Sequence, residues 1–283
     1  MNRLRTLLLP AAGFVLLAIY LFVSAPTELP DGPPVGTAMP AETALALLDA
    51  ESAAIRTLYT REIVGEGGRR GLAFSESWKK EGVAAGPLPA LLLRDTSQRL
   101  QGRAPELGLF LGSDFPLVKE NLFTGAQAAL YQEVKRTLQP RSYYDATLRR
   151  TTSMFPDRAS SEACVNCHNE HPNSPKRDWV LNEPMGATTW SYAGRQVSPE
   201  AMLRMVGALR ASALDAYGAY LRKVARFEPQ ARPEIGGRWP RDGFYLPDEE
   251  TFRRALEAQT SGATLERLLA AVSTAAAAPE ARR

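Results

Sequence analysis

The chain has 283 residues, of which 45% are hydrophobic and 23% charged, with 21 glycines and 21 prolines. This composition is typical of a globular protein with one large domain or two modest ones, and it excludes a disordered or fibrous chain. The 34 basic and 31 acidic residues leave a formal charge of only +3, so there is no concentrated basic field and we expect no nucleic-acid partner.

The N-terminus predicts an export signal that remains as a membrane anchor. Residues 1–5, MNRLR, carry two arginines, and residues 7–25 hold no charge, nearly enough apolar chain to cross a hydrocarbon core about 30 Å thick. The basic flank stays in the cytoplasm, so the chain beyond it is expected in the periplasm. Residues 23–25, Val-Ser-Ala, resemble a signal-peptidase site, but Pro26 disfavours cleavage there. We therefore favour an uncleaved, single-pass anchor over residues 1–26.

The next two segments are predicted to be a spacer and an α+β domain. Residues 27–40 are dense in Pro and Gly, which favours a semi-rigid spacer before a domain at residues 41–197. Helices are predicted at residues 41–64, 87–102 and 124–139, and extended segments at residues 71–78, 107–118, 142–155 and 186–194. Short strands with helices between them predict a small antiparallel sheet with helices packed on it.

The last part of the chain, residues 198–283, is predicted to be a helical extension. A serine cap and a proline at the first helical position open a long amphipathic helix after Ser198. A loop rich in Pro and Gly follows at residues 228–247, and two further helices are predicted at residues 248–259 and 264–278.

The segment EACVNCHNEHPNSPKRDW, residues 162–179, contains both cysteines and both histidines of the chain. Cys164, Cys167 and His168 fit the C-x-x-C-H attachment site of c-type haem. Thiols one helical turn apart can form thioethers with the two vinyl groups of one porphyrin, and the adjacent imidazole then becomes the proximal iron ligand. Export agrees with this chemistry, because the thioethers form beyond the cytoplasmic membrane. The sequence therefore predicts one covalently attached haem c.

Four other interpretations of these residues remain open. A disulfide between the cysteines suits an oxidising compartment but leaves His168 unexplained. A zinc site made of both cysteines and both histidines would be cramped, because zinc sites normally join two ligand pairs that are well separated in sequence. A thioredoxin-like redox pair needs a strand-to-helix setting that the pattern does not predict. A free reactive thiol would oxidise with the neighbouring cysteine three residues away.

The same segment resembles the signature of the c-type haem family proteins with a PAS-like fold, a family of exported single-haem domains that follow a membrane anchor. Residues 58–64, LYTREIV, and residues 87–100, PLPALLLRDTSQRL, are similar to the family's first helix and to its Pro-Leu-Pro-Ala helix start. The resemblance covers residues 41–194. It implies a PAS-like α+β fold, thioethers at both cysteines and His168 as the axial ligand. It also implies a cradle around the haem edge, formed by His171, Pro172, Ser174, Pro175, Lys176, Asp178 and Trp179.

The chain departs from the family pattern on the distal side of the haem. After Asp-Trp the family usually continues with a segment such as K-x-G-D-V-R-G, whereas residues 180–186 read VLNEPMG, with Met185 in place of the arginine. A cysteine thiolate can be the second axial ligand in the family, and this chain has no third cysteine. The sixth ligand is therefore open between Met154, Met185 and an empty or water-filled position.

The remaining candidates have expected structural roles as well. His171 lies three residues from His168 and cannot reach the opposite face of the same porphyrin, so we expect it to donate a hydrogen bond to backbone or to a propionate. For Met39, packing is the expected role. Other side chains are candidates either for haem contacts or for plain surface and core positions: Lys176, Arg177 and Arg195 at the propionates, and Trp179 and Trp190 on the porphyrin.

Three functions follow from a single tethered haem. The first is electron transfer or redox binding with a redox partner. The second is a haem-based redox or gas sensor, which would need a transducer protein docked by the C-terminal helices, because only about six residues precede the predicted span and no kinase or cyclase motif is present. The third is a peroxidase-type enzyme, disfavoured because neither histidine is free to act as distal acid and base. Enzymatic activity is thus left undecided, and electron transfer or redox binding is favoured.

Overall fold

The structure, a computed structural model, describes residues 38–160, 162–240 and 245–260, which fall within one compact unit. The predicted anchor, residues 27–37 of the predicted spacer and the predicted helix at residues 264–278 lie outside this part of the chain. Within it, none of the helices combines the length and the apolar character that crossing a membrane requires.

The described residues form an α+β fold, as predicted. The α-helices are α1 (Ala41–Leu58), α2 (Glu66–Arg69), α3 (Pro89–Arg103), α4 (Gly125–Thr137), α5 (Glu162–Glu170), α6 (Pro199–Val224) and α7 (residues 249–260). A π-helix at Tyr59–Gly65 and short 3-10 helices at Lys119–Asn121 and Pro229–Ala231 accompany them. The strands are β1 (Met39–Pro40), β2 (Leu107–Gly112), β3 (Arg141–Asp145), β4 (Arg150–Arg158), β5 (Pro184–Ala193), β6 (Gln196–Val197), β7 (Glu234–Gly236) and β8 (Tyr245–Pro247).

The main sheet has four antiparallel strands in the order β2-β5-β4-β3, which confirms the predicted small antiparallel sheet. Side chains alternate between its two faces. Phe155 and Trp190 belong to the main core, which also contains the apolar faces of α1, α3 and α6. Met154 and Ala187 belong to a second cluster with Tyr131 of α4. Helices thus cover both faces of the sheet.

The helix predicted at residues 41–64 is confirmed as α1 followed by the π-helix. Its apolar residues recur at helical spacing, and Leu45, Leu48 and Ile55 are all buried against the core. At the end of α1, the buried Tyr59 hydroxyl donates to the carbonyl of Pro87 at 2.7 Å, which ties the helix to the segment that enters α3.

Helix α6 begins as its sequence predicts. The Ser198 hydroxyl accepts from the N–H of Ala201 at 3.2 Å, and Pro199 occupies the first helical position. One face of the helix buries Met205 and Leu209 in the same core as α1 and α3. The long helix is therefore packed into the core that supports the sheet.

The strand predicted at residues 71–78 is wrong. The segment consists mainly of turns, and only Phe74 makes a bridge, with Gly86. The hydroxyl of Ser75 accepts from the N–H of Ser77 at 3.1 Å, a local bond that competes with strand pairing.

The single strand predicted at residues 142–155 is a hairpin, β3 and β4. The Asp145 carboxylate accepts from the N–H groups of Thr147 and Leu148 at 2.8 and 2.9 Å. Arg149 then adopts a left-handed φ of 52°. Aspartate commonly initiates turns in this way, and the chain reverses between two alternating segments.

Candidate haem attachment site

The C-x-x-C-H motif lies on α5, in the segment that connects β4 to β5. The chain leaves the sheet after Arg158 and returns at Pro184. The N–H of Ala159 donates to the carbonyl of Glu183, and the N–H of Asn182 donates to the carbonyl of Ala159, both at 2.9 Å. These two bonds close the base of the connecting segment, so α5 is anchored to two adjacent strands.

The three motif side chains share one side of α5, because residues three and four apart are neighbours on a helix surface. Cys167 is exposed, and Cys164 and His168 are half-buried. No disulfide joins the two thiols. Burial raises the pKa of Cys167, and the charges of nearby groups, Glu76 first, add to the effect. This thiol is therefore protonated at neutral pH.

His168 carries a neutral imidazole at neutral pH. Burial lowers its pKa, and the nearby His171 lowers it further against the opposing effect of Asp157 and Glu76. The neutral ring is the form that binds a metal. Its Nδ1 is buried without a hydrogen-bond partner. The donor set therefore suits a haem c: two thiols one turn apart and a neutral imidazole directly after the second thiol.

A small apolar cluster supports the motif helix. It contains Ala159, Val165 and Trp179, and Trp179 is only 2% exposed. The indole makes T-shaped contacts with the rings of His168 and Phe115, at centroid distances of 6.4 and 6.2 Å. The half-buried Met185 also packs against this cluster.

The loop that follows α5 is fastened to the helix by side-chain hydrogen bonds. The carboxamide of Asn169 donates to the carbonyl of Trp179 at 3.0 Å and accepts from its N–H at 2.8 Å. The guanidinium of Arg177 donates to the carbonyls of Asn169 and Pro172 at 3.2 and 3.1 Å.

His171 connects the motif region to the segment between α2 and α3. Its Nδ1 accepts from the N–H of Asn173 at 3.1 Å, so Nε2 carries the proton. Nε2 then donates to a carboxylate oxygen of Glu76 at 3.2 Å. The hydrogen bond that we expected toward backbone or a propionate goes to a side-chain carboxylate.

Lys176 lies beside the same indole, with Nζ 4.4 Å from the centroid of the Trp179 ring. It pairs with Asp178 at 2.6 Å and with Glu183 at 3.2 Å. Burial alone would lower the pKa of Lys176, but the hydrogen bonds that its ammonium donates to Asp178 and Glu183 raise it. A propionate at this lysine would compete with two carboxylates.

The structure brings some of the predicted residues together and leaves others apart. Grouped at α5 and the loop after it are Cys164, Cys167, His168, His171, Lys176, Arg177, Trp179 and Met185. The remaining candidates lie elsewhere: Met154 fully buried in the cluster with α4, Met39 in the main core, Trp190 in the main core with Nε1 donating to Asp49 at 3.2 Å, and Arg195 with its guanidinium 3.6 Å from the centroid of the Tyr144 ring.

Side chains that the motif does not predict also contribute to this site. Arg56 of α1 donates to both carboxylate oxygens of Asp157, at 2.9 and 3.1 Å, and to the Thr188 hydroxyl at 3.4 Å. Burial alone would lower the pKa of Arg56, but the charge and the hydrogen bonds of Asp157 raise it, and the charge of Asp49 adds to the effect. Asn169 had a signal in its position directly after the motif, whereas Arg56 is 101 residues from its partner and had none.

Among the residues that the structure describes, no group of three or more His, Cys, Asp or Glu side chains is arranged to hold a metal ion. Comparison with known proteins finds no family model, no curated protein and no solved structure that matches the chain. The resemblance to c-type haem family proteins stays a prediction.

Proposed function

We propose that this protein is a membrane-anchored, extracytoplasmic c-type haem protein that acts in electron transfer or redox binding. One haem c would be attached to Cys164 and Cys167, with His168 as the proximal ligand of the iron. The supporting observation is the arrangement on α5, where both thiols and a neutral imidazole lie on one side of a single helix. When bound, haem c supplies a one-electron couple at its iron.

Both thiols are placed for attachment on α5, and the raised pKa of Cys167 keeps that thiol protonated. On attachment, each S–H would add across one vinyl C=C, with the sulfur bonding one carbon and the hydrogen the other, so the step would need no oxidant. Cys167 is exposed and Cys164 is half-buried. A porphyrin could therefore reach the Cys167 thiol from solvent without opening of the fold.

The surroundings of α5 would keep the imidazole in place. Trp179 and Val165 exclude water from one side of the helix, and His168 packs against the indole. Nδ1 of His168 has no carboxylate or carbonyl as its hydrogen-bond partner, and such an acceptor usually increases the basicity of a ligating histidine.

We propose that the α+β fold is PAS-like. The four-stranded antiparallel sheet with helices on both faces supports a PAS-like haem domain at residues 41–197. The proposed domain organisation also includes the anchor at residues 1–26 and the helical extension at residues 198–283.

A haem-based redox or gas sensor acting through a partner protein is the second candidate. It is favoured by the hydrogen bond from His171 to Glu76, since the segment that contains Glu76 also contacts α6. Trp78 and Phe74 of that segment pack on the ring of Tyr220, at centroid distances of 6.5 and 6.4 Å. A change at the motif could therefore reach α6 through direct contacts.

Covalent attachment is tested on protein made in cells that mature c-type cytochromes. After denaturation and extraction with acidified acetone, we expect the polypeptide to keep the mass of one haem and to stain for haem peroxidase activity. The Cys164→Ala, Cys167→Ala double variant should run at the apoprotein mass without a stain, and Asn166→Ala in the same motif should behave as the wild type. A wild-type chain at the apoprotein mass would overturn the proposal.

Spectra of the reduced protein separate the two candidates. A six-coordinate ferrous spectrum that carbon monoxide leaves unchanged supports electron transfer. Rapid formation of a CO complex supports gas sensing. Met185→Leu and Met154→Leu test the two methionines, and only loss of a thioether-ligand band in one of them would assign the sixth ligand.

A further inference from the structure

Trp179 lies in a loop without regular secondary structure, and the side chain of Asn169 binds its backbone. The carboxamide accepts from the Trp179 N–H at 2.8 Å and donates to the Trp179 carbonyl at 3.0 Å. Residues 175–180 belong to neither a helix nor a strand. One side chain of α5 therefore satisfies both backbone groups of this tryptophan.

The indole that is held in this way packs against the imidazole of the motif. The two ring planes are nearly perpendicular, at 88°, with centroids 6.4 Å apart. Phe115 and the ammonium of Lys176 contact the indole as well. Because Nδ1 of His168 has no hydrogen-bond partner, ring packing takes the place of the hydrogen bond that usually orients a ligating histidine.

We propose that Asn169 is a positioning residue, which sets the orientation of the His168 imidazole by fixing Trp179. The role rests on the proposed function, since it is the orientation of an iron ligand that would matter. The contact itself is present in the chain without haem and can be measured there.

The test uses the full-length chain with isotope-labelled histidine. The chain has two histidines, so His168 and His171 give two sets of ring signals, and His171 serves as an internal reference. An indole at this distance shifts the ring-proton resonances of His168 through its ring current. We expect Asn169→Leu, which removes both hydrogen bonds, to abolish that shift. Asn169→Asp keeps the acceptor for the Trp179 N–H and should retain part of it.

Two controls separate positioning from general disturbance. Asn166→Ala changes an exposed asparagine of the same helix and should leave the His168 signals in place. In a Trp179→Phe background, Asn169→Leu should cause no further movement, because residues that act through one contact are not additive. A folded Asn169→Leu variant with wild-type His168 signals would overturn the proposal, as would an equal movement in Asn166→Ala.

The haem-loaded chain supplies the second measurement. We expect the EPR spectrum of the ferric protein to change in Asn169→Leu and not in Asn166→Ala. The reason is that the orientation of the His168 imidazole plane affects the electronic state of the iron. If the wild type takes up no haem, the proposed function fails, while the apoprotein spectra still decide whether Asn169 orients the ring. If haem is attached and both variants match the wild type in both measurements, only the positioning role fails.

Discussion

His168 combines a half-buried imidazole with a polar atom that has no hydrogen-bond partner. Burial lowers its pKa below the ordinary value of 6.5. Between the pKa of His168 in the folded chain and its pKa in the unfolded chain, the unfolded chain binds more protons. The stability of the folded state therefore rises with pH in this interval. The contribution is fully present above the ordinary value and is lost as the pH falls through the folded value.

We predict that the haem-free protein loses stability between about pH 8 and about pH 5.5 and that His168→Gln reduces this loss. The free energy of unfolding, measured in urea at both pH values, checks the prediction. His171→Gln is the matched control and should reduce the pH dependence less than His168→Gln does, because it leaves burial, the larger cause of the lowered pKa of His168, in place. An unchanged pH dependence in His168→Gln would contradict the assignment of this pH dependence to the half-buried imidazole of His168.

The individual residues of the site were predictable where the chemistry is local in sequence. The two cysteines and His168 were found because their spacing on one helix is itself the signal. Glu76 was missed because it meets His171 from 95 residues away. Met154 and Met185 looked equivalent as donors, and only the pairing of the strands shows that one faces α4 while the other packs beside the motif helix.

At the scale of elements, α1 is joined to the sheet by the ion pair between Arg56 and Asp157, with side chains 28% and 25% exposed. We predict that Arg56→Met destabilises the protein by about 1–3 kcal/mol, because it leaves the half-buried carboxylate without its donors. Arg69→Met is the control, since the pair with Glu66 is largely exposed, and it should cost less than about 0.5 kcal/mol. Urea unfolding at neutral pH measures the free energy of unfolding of both variants. Equal losses in the two variants would contradict a stabilising role of the half-buried pair between Arg56 and Asp157.

Strand β5 approaches β2 closely at Gly186. A Cβ added there would lie 2.4 Å from the carbonyl oxygen of Gly112, which is backbone and cannot rotate away. We predict that Gly186→Ala destabilises the fold by about 1–3 kcal/mol through overpacking. Gly102 in α3 has open space around it, so Gly102→Ala should stabilise by up to about 1 kcal/mol. Thermal unfolding of the two variants should move in opposite directions, and a neutral Gly186→Ala would contradict the argument.

Among the elements, periodic helices were easier to predict than strands. The confirmed helices α1, α3, α4 and α6 carry an apolar repeat over three turns or more, and α3 and α6 also begin with a proline. The segments at residues 71–78 and 142–155 show alternation too, but Ser75 and Asp145 bind nearby backbone groups and turn the chain. Short-range competition of this kind depends on geometry that an alternating pattern does not contain.

For the whole molecule, the packing of α6 decides how the C-terminal part relates to the sheet. Met205 of α6 is fully buried in the core shared with α1 and α3, whereas Leu203 is 64% exposed. We predict that Met205→Ala lowers the free energy of unfolding of the entire unit by about 2–5 kcal/mol. Leu203→Ala should change it by less than about 0.5 kcal/mol. Two separate unfolding transitions, with only one shifted in Met205→Ala, would show instead that α6 unfolds independently.

The proposed membrane anchor and periplasmic location concern the whole chain. We predict that the full-length protein stays in the membrane fraction after a high-salt wash and that a periplasmic reporter fused at its C-terminus is active. The double variant Leu16→Asp, Leu17→Asp should fail to insert in the membrane and should stay in the cytoplasm. Each charge at the centre of a span costs about 3 kcal/mol. A mature chain that begins near Pro26 and fractionates without membrane would contradict the anchor.

The two backbone bonds at Ala159 make the motif segment an excursion from an ordinary pair of adjacent strands. The chain departs from β4 and rejoins the sheet at β5 at the same end, next to a register shift between Asp157 and Arg158. The segment that carries the proposed attachment site is therefore separable, in its backbone hydrogen bonds, from the strands on either side of it. We expect a chain with a tight turn grafted in place of this segment to keep the four-stranded sheet and, on the proposed function, to bind no haem.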